Sequence, residues 1–227
     1  MKNKLKSSSY RKMVVGLITI LACLVVFFSI KAINSQADGP EIYDMGRLII
    51  VSDGSGDNWG THSFLLYTNT SNKKQTVAET TVKPNQTISI GTYGNKPDGK
   101  GIYVNLEAYF TTVDENAYKN RVSIASTINN LQFTLMNKSI NSRNTWTATK
   151  NCAWFAVNVW NDSVLSKYDL DAGLISNPKT LSKAIKKRKS SIKDVSMPIV
   201  KCAYRLYGTY TEKCSSSTYK SKDYSSK

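Results

Sequence analysis

Residues 13–30, MVVGLITILACLVVFFSI, are 18 consecutive positions without a charge. As a helix this run is about 27 Å long, close to the hydrocarbon thickness of a bilayer. Lys2, Lys4, Lys6, Arg11 and Lys12 precede it, with no acid among them. A cationic start followed by an apolar run is the layout of a signal peptide or a transmembrane signal anchor. Ser35-Gln36-Ala37 has the small residues of a cleavage site, so two outcomes stay open: removal of residues 1–37, or an anchor left uncleaved. In either case the rest of the chain is expected to work outside the cytoplasm, secreted or membrane-anchored. The Lys/Asn-rich composition points to a bacterial cell envelope.

The expected organisation is an export segment over 1–37, one folded domain over 38–190, and a basic tail over 191–227. The net charge of +15 is concentrated at the ends. Residues 1–37 carry six cations and no acid, residues 38–178 carry 12 cations and 13 acids, and residues 179–227 carry 13 cations and three acids. Lys183, Lys186, Lys187, Arg188 and Lys189 are the densest stretch. Such a cluster reads either as a solvated face or as a contact for an anionic envelope surface. Nucleic acid is not an expected partner for an exported chain.

Hydrophobic patterning within the domain implies an α+β fold, an antiparallel meander packed against helices. Strands are expected at 47–52, 61–68, 75–82, 87–92 and 101–110. A helical pattern follows over 114–135, where Val122, Ala125, Ile128 and Leu131 can share a face and Asn129-Asn130 would interrupt or end it. Asn151–Asn161 (NCAWFAVNVWN) has helical spacing with Cys152 in its first turn, and Asn177-Pro178 opens a last helix reaching Lys189.

Beyond the export segment three cysteines remain, Cys152, Cys202 and Cys214. Cys202 and Cys214 are the natural disulfide, a loop closure worth about 2–3 kcal/mol. Cys152 is then a free thiol in an oxidising compartment. A helix N-terminus lowers a thiol pKa, and its unpaired N–H groups can hold an oxyanion. The chain's one histidine, His62, directly follows a Gly-rich loop and is the only imidazole able to serve as base. One histidine and one free thiol are too few ligands for zinc, so no metal is expected. No phosphate-loop ending is present, and no cofactor is implied.

Asn151-Cys152-Ala153-Trp154-Phe155 fits an Asn-Cys-x-x-Phe motif, and Thr61-His62-Ser63-Phe64 matches a histidine-strand motif ahead of it. In that order the chain resembles the permuted papain-like superfamily of cysteine hydrolases and acyltransferases. That superfamily includes permuted NlpC-like enzymes and the lecithin:retinol acyltransferase group. Gly91-Thr92-Tyr93-Gly94-Asn95, the segment 101–107 and Val159-Trp160-Asn161 add to the likeness, which covers about residues 45–190. The resemblance implies a Cys152–His62 pair and a third polar residue that orients the imidazole. Asn105 is the first choice for it, with Glu107 and Glu79 as alternatives. It also implies acyl transfer on a peptidoglycan peptide or on a lipid or other acyl ester. The competing reading is a binding module without turnover, with Trp59, Tyr93, Tyr103 and Trp146 forming an aromatic groove.

Overall fold

The computed structural model describes residues 41–96 and 99–206. The export segment expected at 13–30, the cleavage site and Cys214 lie outside the described residues. Among those described, no helix is long and apolar enough to cross a membrane. The chain divides into units 1–41 and 42–227, and the second is α+β, an antiparallel sheet packed against helices.

Ten residues, Asp44–Asp53, form β1, and His62–Asn69 form β2, paired from Gly46↔Asn69 to Asp53↔His62. A separate hairpin, β3 (Gln75–Val77) and β4 (Thr80–Val82), follows. It replaces the single strand expected over 75–82, because Ala78 and Glu79 both take positive φ and turn the chain. Next come β5 (Thr87–Tyr93) and β6 (Gly101–Val104). Then come helix α1 (Leu106–Val113), strand β7 (Arg121–Asn129) and helix α2 (Asn130–Asn141). Helices α3 (Cys152–Ser163) and α4 (Pro178–Lys186) complete the helical layer. The short strands β8 (Ile192–Lys193) and β9 (Tyr204–Arg205) close the two sheet edges. The sheet order is β8-β7-β1-β2-β5-β6-β9, so Ile192–Lys193 and Tyr204–Arg205 belong to the sheet.

Two further expectations need correction. The strand expected over 101–110 stops at Val104. Asn105 adopts φ 59°, ψ 16° and turns the chain into α1. Asparagine tolerates this left-handed conformation better than most residues. The helix expected over 114–135 is instead β7 followed by α2. Val122, Ser123 and Ile124 are buried between β1 and β8, and β-branched residues favour that setting. The Asn129-Asn130 pair starts a helix rather than ending one. The Asn129 side chain accepts from the Gln132 amide at 3.0 Å, and the Gln132 side chain accepts from the Asn129 amide at 3.1 Å. This is a reciprocal capping box.

Strand alternation sends side chains to two cores. On one face Leu48, Ile50, Leu65, Ile88 and Ile90 pack beneath α2, α3 and α4, against Phe155, Trp160 and Leu181. On the other, Ile49, Val51, Phe64 and Leu66 meet Leu106, Tyr109 and Tyr118. With both faces covered, the central strands read as apolar runs rather than as clean alternation.

Asn129→Ala removes one side of the capping box and is expected to destabilise the domain by about 1 kcal/mol. Urea denaturation would measure this, with the alkylation rate of Cys152 unchanged.

Candidate active site

Cys152 is the first residue of α3, and Asn151 fixes it there. The Asn151 Oδ1 accepts from the amides of Ala153 and Trp154 at 3.0 and 3.1 Å. Its Nδ2 donates to the carbonyls of Ser176 at 2.7 Å and Ala148 at 3.1 Å. One buried side chain thus caps the helix and holds the two loops flanking it. The Cys152 amide is a first-turn N–H without an intrahelical acceptor. Among the described residues Cys152 is the free cysteine, half-buried. Cys202 is buried, and its expected partner Cys214 lies outside them.

His62 opens β2, where the β1 ladder still holds it but the β5 ladder has already ended at Leu65↔Ile90. Its imidazole is buried and flanked by aromatic rings, with Tyr93 at 4.5 Å, Phe64 at 5.6 Å and Tyr118 at 5.8 Å between centroids. The ring and the Cys152 thiol shift one another's proton affinity, so the two groups are close enough to interact. Its Nε2 lies 3.0 Å from Glu107 Oε1, which leaves Nδ1 for the sulfur.

The polar side chain that meets the imidazole is therefore Glu107, one of the two expected alternatives, and not Asn105. Because the chain turns at Asn105, Glu107 enters the first turn of α1 and reaches the histidine. Asn105 is buried and committed elsewhere: it accepts from the Ser89 amide at 3.0 Å and donates to the Cys202 carbonyl at 2.9 Å. Glu79 sits exposed in the β3–β4 turn. Glu107 is fully buried and accepts two further bonds, from Tyr93 Oη to Oε1 at 2.9 Å and from Ser89 Oγ to Oε2 at 2.5 Å. The sequence reading did not single out Ser89. Tyr93, expected in an aromatic groove, lines a cavity beside Cys152 and also holds the carboxylate. Tyr103 is not a groove residue; it is buried, with its hydroxyl donating to the Gly99 carbonyl at 2.9 Å.

Gly91 makes this meeting possible. A Cβ there would lie 2.4 Å from Glu107 Oε1 and 2.9 Å from His62 Nε2, so any side chain would occupy the space between the pair. The signal was present in the sequence as a glycine inside a strand, which often marks a close approach.

Burial alone would raise the Cys152 thiol. The opposing charge and hydrogen bond of His62, with the amides of Ser63 and Ala153, bring it below its ordinary value instead. Burial alone would lower His62, but the charge and hydrogen bond of Cys152, then those of Glu107, lift it from 6.5 to about 9. Both shifts act in the direction of a thiolate beside an imidazolium. Among the described residues no group of three or more His, Cys, Asp or Glu could hold a metal.

Cys152 lies between two cavities. One, about 420 Å³, is lined by His62, Tyr93, Lys96, Asp114 and Tyr118, among others. The other, about 280 Å³, is lined by Trp59, Ala148 and Pro178. Trp146, Thr61 and Cys152 border both. Trp146 lies against Gly94, where a Cβ would meet its ring at 2.4 Å. Compared with known proteins, the chain matches no family model, no curated protein and no solved structure.

Two measurements check the pair. Alkylation of Cys152 is expected to be fast at pH 6 and to slow only as acid protonates the thiolate. In His62→Ala it should rise only at or above the ordinary thiol pKa near 8.5. Gly91→Ala should separate His62 from Glu107 and slow alkylation at pH 6 by about tenfold, with the circular dichroism spectrum retained.

Proposed function

We propose that the protein is an exported cysteine hydrolase or acyltransferase of the permuted papain-like kind, acting on an amide or ester of the cell envelope. The observation that carries this reading is the buried Glu107–His62–Cys152 chain ending at a helix N-terminus beside open cavities. Thiolate, base and orienter are the three parts a cysteine acyl-transfer site requires.

The residues divide the work as follows. The Cys152 thiolate attacks the carbonyl carbon, and the Cys152 amide donates to the developing oxyanion. The His62 imidazolium gives its proton to the departing nitrogen or oxygen. The resulting neutral imidazole takes a proton from water or another acceptor, which attacks the thioester and releases the sulfur. Glu107 keeps the ring in the tautomer and orientation that both transfers need. Its bonds from Ser89 and Tyr93 fix the carboxylate in turn. A peptidoglycan peptide or a lipid acyl group is the substrate proposed. Lys183, Lys186, Lys187 and Lys189, exposed on and just after α4, with Arg188 beside them, would face the anionic envelope surface.

The pH profile follows from the signs. Transfer requires Cys152 deprotonated and His62 protonated. Activity should rise on an acid limb below the ordinary thiol range and fall as pH passes about 9, where His62 loses its proton. Glu107→Gln withdraws charge from the imidazolium, so the alkaline limb should move to lower pH. The rate should fall by about 10²–10⁴. Cys152→Ala should abolish turnover of p-nitrophenyl acetate and the mass shift of the acyl-enzyme. Turnover retained in Cys152→Ala would remove the cysteine-enzyme reading, and no turnover or adduct in the wild-type protein would leave a binding module.

A further inference from the structure

We infer that the two cavities beside Cys152 have fixed and different roles, so that substrates enter in one direction: the Trp59–Trp146 cavity takes the acyl group, and the His62 cavity takes the leaving group. The inference rests on the acyl-transfer reading and adds the direction and the chemical class of the acyl part.

The reasoning starts from proton delivery. When the tetrahedral carbon on Cys152 collapses, its bond to nitrogen or oxygen breaks, and the imidazolium of His62 must protonate the departing atom at hydrogen-bond distance. His62 borders only the larger of the two cavities. The leaving group therefore departs into that cavity. The acyl group, on the other side of the carbonyl carbon, is directed to the smaller one.

The linings agree with this division. The smaller cavity contains no ionisable side chain except Cys152 itself. Its walls are the indoles of Trp59 and Trp146, with Ala148 and Pro178. Its one amide side chain, Asn151, already makes four hydrogen bonds. An apolar acyl chain would cover mainly indole and aliphatic surface there, with the Thr61 hydroxyl already bonded to the Ser55 carbonyl at 2.9 Å, whereas a charged one would meet no opposite charge. The larger cavity carries Lys96, Asp114 and Asn95 besides the histidine, so a polar amine or alcohol leaving there finds polar surroundings.

The atoms balance across both half-reactions. Acylation forms the S–C bond, breaks the C–N or C–O bond, and transfers the imidazolium proton to the leaving group. Deacylation forms a C–O bond from water, breaks the S–C bond, and returns the water's proton to His62. The apolar acid is released from the Trp59 side.

The test uses p-nitrophenyl acetate and p-nitrophenyl octanoate, with acylation of Cys152 followed by nitrophenol burst and by intact mass. The wild-type protein should acylate at least about tenfold faster with octanoate. Ala148→Trp narrows the smaller cavity and should bring the octanoate-to-acetate ratio to about one by slowing octanoate far more than acetate. Ala117→Trp, in the larger cavity, should leave that ratio intact while slowing both esters. Thermal unfolding and alkylation at pH 6 confirm that both variants are folded with the ion pair in place. A ratio unchanged by Ala148→Trp, or collapsed by Ala117→Trp, would overturn the assigned direction. Acylation without a length preference in the wild type would overturn the apolar acyl class and leave the enzyme reading standing. No adduct on Cys152 with either ester would overturn both.

Discussion

A single buried carboxylate organises the reactive end of this fold. Glu107 has no exposed surface, and it accepts from His62, Tyr93 and Ser89 at once. Three donors on three positions of two strands meet one acceptor from the first turn of α1. A buried charge is tolerable only when it is paired and hydrogen-bonded, and here the compensation is also what aims the histidine. The lifted proton affinity of His62 and the lowered one of Cys152 both depend on that aim.

The surrounding architecture reads as a set of arrangements that bring these groups to one point. The sheet carries His62 and Gly91 on neighbouring strands, with no side chain at 91 to intervene. The turn at Asn105 converts a strand into a helix at the residue needed to bring Glu107 inward. Asn105 meanwhile ties β5 to the segment before β9 through Ser89 and Cys202. On the opposite face, α3 packs against the larger core and presents its N-terminus to the end of β2. Asn151 holds that end through four bonds. Each device is local, and the site exists because the fold makes them coincide.

Much of this was legible in the sequence. Asn151 before Cys152 announces a capped helix start, and a lone histidine opening a strand leaves one choice of base. The third member was not legible with the same certainty. Treating 101–110 as one strand places Asn105 and Glu107 on a common face and makes them equivalent. The left-handed turn at Asn105 separates them, and nothing in a period-2 pattern signals such a turn. The misreading of 121–129 has a related cause. Val122, Ala125 and Ile128 fall three apart, which satisfies a helical face, while Val122 and Ile124 satisfy a strand face equally well. Pairing with β1, a long-range event, decides between them. Ser89 and Tyr93 were hidden for the same reason: their importance comes from a carboxylate contributed by a distant helix.

The network around Glu107 sets folding and chemistry against each other. Burying an ion pair seldom stabilises a domain as well as apolar packing of the same volume. A sequence drifting toward greater stability would fill this region with aliphatic side chains and a larger residue at 91, silencing the histidine. The carboxylate and imidazole packed directly over Gly91 therefore mark a compromise. The domain gives up a share of its resistance to unfolding to keep one proton in position.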